Sequence, residues 1–97
     1  MGKTLDSTLR FNGTSRVGTV GAAAVALTAV GANIFDVRIV SGGNCWYNTT
    51  GTATAGAGSI YLPAGVVEYI HVSPGVVISF IQDGAATGTF NMAEMTR

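Results

Sequence analysis

A period-two alternation of apolar and polar residues recurs along the chain, and it is most regular between residues 34 and 40. There one face of a strand carries Ile34, Asp36, Arg38 and Val40, and the other carries Phe35, Val37 and Ile39. Successive side chains of a strand point to opposite faces of its sheet. The pattern therefore predicts a strand with one buried and one solvated face. Because Asp36 and Arg38 are two residues apart on the polar face, we expect them to form an exposed ion pair.

Other apolar segments predict strands on both sides of this one. They are Thr8–Phe11, Asn44–Thr49, Ser59–Leu62, Val66–Val72, Val76–Gln82 and Gly88–Met95. In the last of these, Phe90 and Met92 alternate with Asn91 and Ala93. Asn12-Gly13 predicts a two-residue hairpin turn, and Ser73-Pro74-Gly75 predicts a tight reversal. Turn residues recur at intervals of about ten residues, as in sandwiches built from short antiparallel strands. The chain is therefore predicted to be all-β, a compact antiparallel β-sandwich or jelly-roll-like module of about seven to eight short strands.

Two segments are ambiguous. Ala22–Val30 is rich in alanine, which favours a helix, but Val25, Leu27 and Ala29 also fit a period of two. We favour a strand there, with one short helix as the alternative. Thr49–Gly58 is a low-complexity loop of Thr, Ala and Gly. A connection of that length is expected to be either mobile or ordered by a partner.

The length of 97 residues predicts a single domain. We expect one β-sandwich domain over 1–97, with residues 1–7 as a candidate N-terminal arm. The opening residues Gly2 to Asp6 are polar, so no secretory signal is expected. The most apolar stretch, Gly21–Val30, is much shorter than a membrane span. No membrane partner is predicted.

The charge content changes the picture. Charged residues make up 10% of the chain and the formal net charge is zero, whereas an ordinary soluble domain has about 25% charged residues. A surface with so few charges suits a subunit that packs against neighbours better than a solitary soluble domain. Nucleic-acid binding needs several cations on one face, and five scattered Lys and Arg residues do not supply them.

The side chains that carry chemistry are scarce. One His and one Cys cannot hold a metal ion without clustered carboxylates, so neither a metal nor a cofactor is predicted. A nucleophilic triad would have to use His71, and no spacing of Ser and Asp around it supports one. The chain is therefore predicted not to be an enzyme. A hydrolase built on His71 is the least favoured alternative.

Four aromatic residues are candidate contacts with a partner: Trp46, Tyr47, Tyr61 and Tyr69. Aromatic side chains carry much of the energy of protein interfaces. The same four could also form an aromatic platform for a sugar. Packing in the core is the competing explanation for each of them.

Short motifs along nearly the whole chain carry a family resemblance. They are Leu9-Arg10-Phe11-Asn12-Gly13, Val37-Arg38-Ile39-Val40 ahead of Trp46, Leu62-Pro63-Ala64-Gly65-Val66, Glu68-Tyr69, Pro74-Gly75, Ile81-Gln82-Asp83 and Met92-Ala93-Glu94-Met95-Thr96. Together they resemble small virion-associated proteins of tailed bacteriophages, of the capsid decoration or cement type. The resemblance implies a compact β-sandwich that assembles onto the particle. It transfers no catalytic motif and identifies no binding residue.

These observations lead to two expected functions. The first is a capsid decoration protein on the exterior of the virion, which binds the major capsid protein lattice and stabilises the particle. Its lattice offers three-fold and two-fold positions, so we expect self-association, with a trimer favoured over a dimer. The alternative is a tail, fibre or adhesion module that binds a host-surface glycan through exposed Trp46 and Tyr61.

Overall fold

The structure is a computed structural model, and it describes residues 9–96. Within this range the chain forms eight strands and no helix: β1 (Arg10–Val20), β2 (Val25–Ala26), β3 (Asp36–Ser41), β4 (Cys45–Asn48), β5 (Ile60–Leu62), β6 (Glu68–His71), β7 (Ser79–Gln82) and β8 (Gly88–Thr96). The candidate arm over residues 1–7 lies outside the described residues.

The strands form two antiparallel four-stranded sheets. Sheet A has the order β1-β8-β3-β6, and sheet B has the order β2-β7-β4-β5. The pairs β1/β8, β2/β7, β3/β6 and β4/β5 are nested, as in one long hairpin that has been rolled so that its two arms contribute to both sheets. This is the topology of a jelly roll. The predicted all-β sandwich is confirmed.

The core lies between the two sheets. Its centre is a stacked pair of rings, Phe80 of sheet B and Phe90 of sheet A, with centroids 4.4 Å apart and planes inclined by 6°. The inward positions of β3 and β8 are those that the alternation predicts: Val37 and Ile39 on one strand, and Met92 beside Phe90 on the other. These contacts between the sheets bury the large apolar side chains and hold the sandwich together.

The first strand is longer than its sequence predicts. The segment Thr8–Phe11 was predicted to end at a hairpin turn, but β1 continues to Val20 along β8. Asn12-Gly13 lies in a bulge, where the register shifts between Phe11 and Ser15. Gly13 has a φ of 96°, and the Thr14 N–H donates to Asn12 Oδ1 at 2.9 Å. The hairpin prediction is wrong because β8 offers pairing partners on both sides of the bulge.

The alanine-rich segment Ala22–Val30 is extended and not helical, in agreement with the favoured prediction. Its ladder with β7 is short and covers only Val25 and Ala26. Beyond it, the Leu27 N–H donates to the Ile78 carbonyl and the Val30 N–H to the Val76 carbonyl, both at 3.0 Å. The segment therefore follows β7 as an irregular edge of sheet B.

Candidate interaction surfaces

The outer surface of sheet A, here called face A, is defined by the pairing register. Arg38 points away from the core because its neighbours Val37 and Ile39 point into it. Its members on the four strands are Phe11, Ser15, Val17 and Thr19 of β1, Thr89, Asn91, Ala93 and Met95 of β8, Asp36, Arg38 and Val40 of β3, and Tyr69 and His71 of β6. Face A is therefore a continuous surface spanning all four strands.

Face A exposes large apolar side chains. Val17 is 63% exposed, Phe11 55% and Tyr69 42%. Ala93 and Met95 are buried, yet neither belongs to the core cluster. They form the floor of face A, on the side of β8 opposite the core. Exposed apolar side chains on one outer face make face A a candidate surface for contact with another macromolecule.

A groove of about 290 Å³ runs across the middle of face A. Its lining comprises Phe11, Ser15, Arg38, Asn91, Ala93 and Met95. In the register of the sheet, Arg38 lies between Ala93 on β8 and Tyr69 on β6. Because Ala93 is small, space is left beside the Arg38 side chain. The bulge in β1 sets Phe11 opposite Met95, at one end of this space.

Asp36 and Arg38 do not form the predicted exposed ion pair. Asp36 is buried, and its Oδ1 lies 3.2 Å from Nδ1 of His71, its partner across the β3/β6 ladder. The prediction is wrong because β3 is an inner strand of sheet A. Opposite residues on neighbouring strands approach to about 5 Å, whereas residues two apart on one strand are about 7 Å apart. The exposed ring of His71 stacks on Phe35, with centroids 6.3 Å apart.

A buried carboxylate fixes β1 against the rest of the molecule. Glu94 on β8 accepts hydrogen bonds from Asn12 Nδ2 at 3.0 Å, Arg16 Nη1 at 2.7 Å and the Gly31 N–H at 3.1 Å. Arg16 also donates through Nη2 to the Ala29 carbonyl at 3.0 Å. Burial acts to raise the pKa of Glu94, but the hydrogen bonds from Arg16, Asn12 and Gly31 outweigh it and leave the pKa below its ordinary value. This cluster ties the bulge that carries Phe11 to β8 and to the β2–β3 connection.

The outer surface of sheet B, here called face B, carries an aromatic pair. Trp46 on β4 and Tyr61 on β5 are opposite each other in the register, with ring centroids 5.1 Å apart and planes inclined by 58°. The indole Nε1 of Trp46 donates to Asp83 Oδ1 at 3.1 Å. Tyr61 is exposed and Trp46 is half-buried. The pair thus presents two aromatic rings beside a carboxylate.

The four predicted contact residues are distributed over three places. Trp46 and Tyr61 share face B, and Tyr69 lies on face A. Tyr47 lies in the core, because it follows Trp46 in the same strand and so points the other way. Its hydroxyl donates to Glu68 Oε1 at 3.1 Å, and burial together with the charge of Glu68 raises the pKa of Tyr47 to about 12. The structure therefore does not bring the four aromatics together.

The low-complexity loop covers part of face B. The Ala53 N–H donates to Ser79 Oγ at 3.0 Å, and Ala53 is buried. Asn48 Nδ2 donates to the Gly58 carbonyl at 2.8 Å and so closes the base of the loop. A neutral groove of about 430 Å³ lies between the loop and sheet B; its lining comprises Ala24, Ala26, Thr49, Thr50, Gly51, Thr52, Val77 and Ser79. The loop is thus held by the chain's own sheet, an arrangement that neither predicted alternative included.

Sequence reasoning did not single out Phe11, Val17 or Arg38 as surface residues of one site. The signal for Arg38 was present, since it occupies an outward position in a strand between the inward, apolar Val37 and Ile39. The signal for Phe11 was hidden, because the bulge that follows it shifts the alternation of β1. No His, Cys, Asp or Glu cluster that could hold a metal ion occurs among residues 9–96. No helix in that range is long and apolar enough to cross a membrane.

The fold and these two surfaces define a jelly-roll β-sandwich with exposed apolar side chains on face A and an aromatic pair on face B. No protein-family model, no curated protein and no solved structure matches the chain.

Proposed function

We propose that this chain is a capsid decoration protein, a structural subunit that binds the major capsid protein lattice on the exterior of a virion and stabilises the particle. The observation that carries the proposal is face A, where Phe11, Val17 and Tyr69 are exposed together. The low charge content of the whole chain supports a molecule that works in contact with others. The capsid as the partner is suggested by the short motifs that resemble small virion proteins.

The physical mechanism is burial of face A against the coat. Removing on the order of several hundred Å² of apolar surface from water is favourable by about 25 cal/mol per Å². Part of that gain offsets the loss of translational and rotational freedom on binding. A decoration protein binds the assembled lattice in preference to dissociated coat subunits, so its binding free energy stabilises the assembled state by mass action. Modest affinity at each of many sites is then sufficient.

Self-association into a trimer is part of the proposal. Among the described strands, β1 and β6 end sheet A, and β2 and β5 end sheet B. An edge strand offers unpaired backbone groups that can pair with a strand of another chain. Such pairing leaves face A available for the coat, since it uses the edges of the sheets and not their outer surfaces.

The test compares virions that carry the protein with virions from which its gene has been deleted. We expect hundreds of copies per particle and a lower disruption temperature when the protein is missing. The matched variants are Val17→Ser on face A and Val77→Ser beside face B, since both valines are exposed. Only Val17→Ser should lower the copy number. Equal disruption temperatures, or a dozen copies or fewer, would reject the decoration function.

A second candidate function, glycan binding by a tail, fibre or adhesion module, is favoured by one observation. Trp46 and Tyr61 lie side by side on face B next to Asp83, which gives aromatic rings and a hydrogen-bond acceptor in one place. Binding on a glycan array that is lost in Tyr61→Ala and kept in Tyr69→Ala would support this function. An array without binding would remove it.

A further inference from the structure

We infer that the groove beside Arg38 binds an acidic segment of the coat protein, with a carboxylate on the guanidinium of Arg38 and an adjacent apolar side chain between Phe11 and Met95. The inference rests on the proposed function, because it names the chemistry by which face A recognises its partner. Its starting point is the arrangement of charges across face A.

Arg38 is a half-buried cation without an ionic partner among residues 9–96. The two ion pairs in that range are Arg16 with Glu94 and His71 with Asp36. On the adjacent strands, the residues opposite Arg38 are neutral: Ala93 on β8 and Tyr69 on β6. Removing a charge from water is costly unless the charge is paired. A carboxylate delivered by a partner would pair with the guanidinium through two parallel hydrogen bonds.

The surroundings of Arg38 have the composition of an interface centre. One row of the register runs across all four strands as Ser15, Ala93, Arg38 and Tyr69, and the next runs as Phe11, Met95, Asp36 and His71. Arginine and tyrosine are enriched among the residues that dominate binding energy. Because the Ala93 side chain is small, the groove is deeper at that position, and Phe11 forms the apolar end of the groove. A carboxylate and an apolar side chain would therefore be accommodated next to each other.

Within residues 9–96, no acidic side chain is left over to pair with Arg38 of a second copy. All four acidic side chains of the described range are engaged within their own molecule: Asp36 with His71, Glu68 with Tyr47, Asp83 with Trp46 and Glu94 with Arg16. None of these four residues is in the exposed class. For an acidic side chain of residues 9–96 to reach Arg38 of a second copy, one of these contacts would have to break. Nucleic acid is disfavoured as well, because Arg38 is the one Lys or Arg on face A within residues 9–96, and one guanidinium neutralises a single phosphate.

The principal experiment measures binding of purified protein to particles that lack it, as bound copies against concentration. We expect Arg38→Glu to weaken binding at least tenfold and Arg38→Lys to weaken it several-fold, because lysine cannot form the bidentate pair. The matched control is Arg10→Glu, which reverses an exposed cation at the start of β1 that does not line the groove. It should stay within twofold of the unmodified protein. Substituting one acidic coat residue by Lys should restore binding of Arg38→Glu.

The outcomes separate this inference from the function on which it rests. If Val17→Ser lowers binding and Arg38→Glu does not, decoration stands and the role of Arg38 is overturned. If the unmodified protein binds no particle, the decoration function is rejected, and so is the coat protein as the partner of Arg38. If Arg38→Glu changes the mass of the protein in solution, the occupant is a second copy and the coat assignment is overturned.

A titration followed by NMR tests the groove without particles. The probe is the blocked dipeptide acetyl-Leu-Glu-amide, and its control is acetyl-Leu-Gln-amide. We expect the glutamate peptide to shift the amide signals of Ala93 and Met95 at millimolar concentration, and the glutamine peptide to shift them several-fold less. Equal shifts from both peptides, or none from either, would overturn the carboxylate site.

Discussion

The two outer faces of the sandwich differ in how far the chain itself covers their side chains. On face B the chain covers part of the surface itself: Ala53 is buried over Ser79, and Trp46 is fixed by Asp83. Tyr61 and Val77 stay exposed there, but less so than the two residues that stand out on face A. On face A, Phe11 and Val17 are more than half exposed. Both faces belong to four-stranded sheets around one core, so the difference does not come from the fold. It shows which apolar positions contribute to folding and which remain available for a partner.

The largest loss of stability should come from a substitution in the core, which is the reference for substitutions on the two faces. Phe80→Ala removes one ring of the stacked pair that joins the two sheets, and we expect it to lower the free energy of unfolding by about 3–5 kcal/mol. Phe11→Ala removes the same ring from face A and should cost less than about 1 kcal/mol. Urea denaturation of both variants measures the two losses.

Similar losses for the two phenylalanine variants would contradict the comparison. They would mean that Phe11 is buried by its own molecule in solution, and face A would then not be available to a partner. The free energy of unfolding should also decrease with urea concentration at the same slope in the unmodified protein and in Phe11→Ala. That slope reports the surface exposed on unfolding.

The next effect concerns the attachment of β1 to β8 through Glu94. Glu94→Gln keeps the shape of the side chain but removes its charge, and the Arg16 guanidinium loses its ionic partner. We expect a loss of about 1–3 kcal/mol, because a half-buried cation is left without its counter-charge. Glu68→Gln is the matched control, since the Glu68 carboxylate accepts a hydrogen bond from the Tyr47 hydroxyl. It should cost less than Glu94→Gln by urea denaturation at neutral pH.

The pH dependence of stability follows from the same carboxylate. The pKa of Glu94 is lower in the folded protein than its ordinary value of 4.5. The ionised form is therefore favoured by folding, and its stabilisation is fully present above that ordinary value. It is lost as the pH falls through the lowered pKa. Urea midpoints measured from pH 7 to pH 3 should fall more steeply for the unmodified protein than for Glu94→Gln. Parallel curves would show that Glu94 does not contribute.

How much of this could be predicted depends on whether a feature is local to one strand. The alternation in β3 and β8 identified the inward Val37, Ile39, Phe90 and Met92, because the side-chain period of a strand is fixed. The partner of Asp36 could not be predicted in the same way. It depends on β3 lying between β8 and β6, and this order is set by packing of the whole chain. The antiparallel β-sandwich of jelly-roll type was foreseen, whereas the groove beside Arg38 was not.

A smaller effect should appear on face B. Ser79→Ala removes the hydroxyl that accepts the Ala53 N–H, and we expect a loss of about 1 kcal/mol. Hydrogen exchange at the Ala53 amide should become faster, because the loop is released from sheet B. Ser73→Ala, at an exposed position in the β6–β7 connection, is the matched control and should leave that amide unchanged. Unchanged exchange in Ser79→Ala would mean that the loop is held by other contacts.

The smallest effect on stability is expected for a substitution on face A. Such a variant can change binding to particles while folding stability stays nearly the same. Val17→Thr is nearly isosteric and keeps a β-branched side chain that suits a strand, so stability should change by less than about 0.5 kcal/mol. The same change at Val37, which is buried in the core, places a hydroxyl in an apolar site and should cost about 1–3 kcal/mol. Binding of Val17→Thr to particles should nevertheless fall, because its hydroxyl would be desolvated at the coat contact. A stable variant that still decorates particles at full copy number would show that Val17 lies outside the interface. The part of face A that contacts the coat would then be the surface around Arg38 and Tyr69.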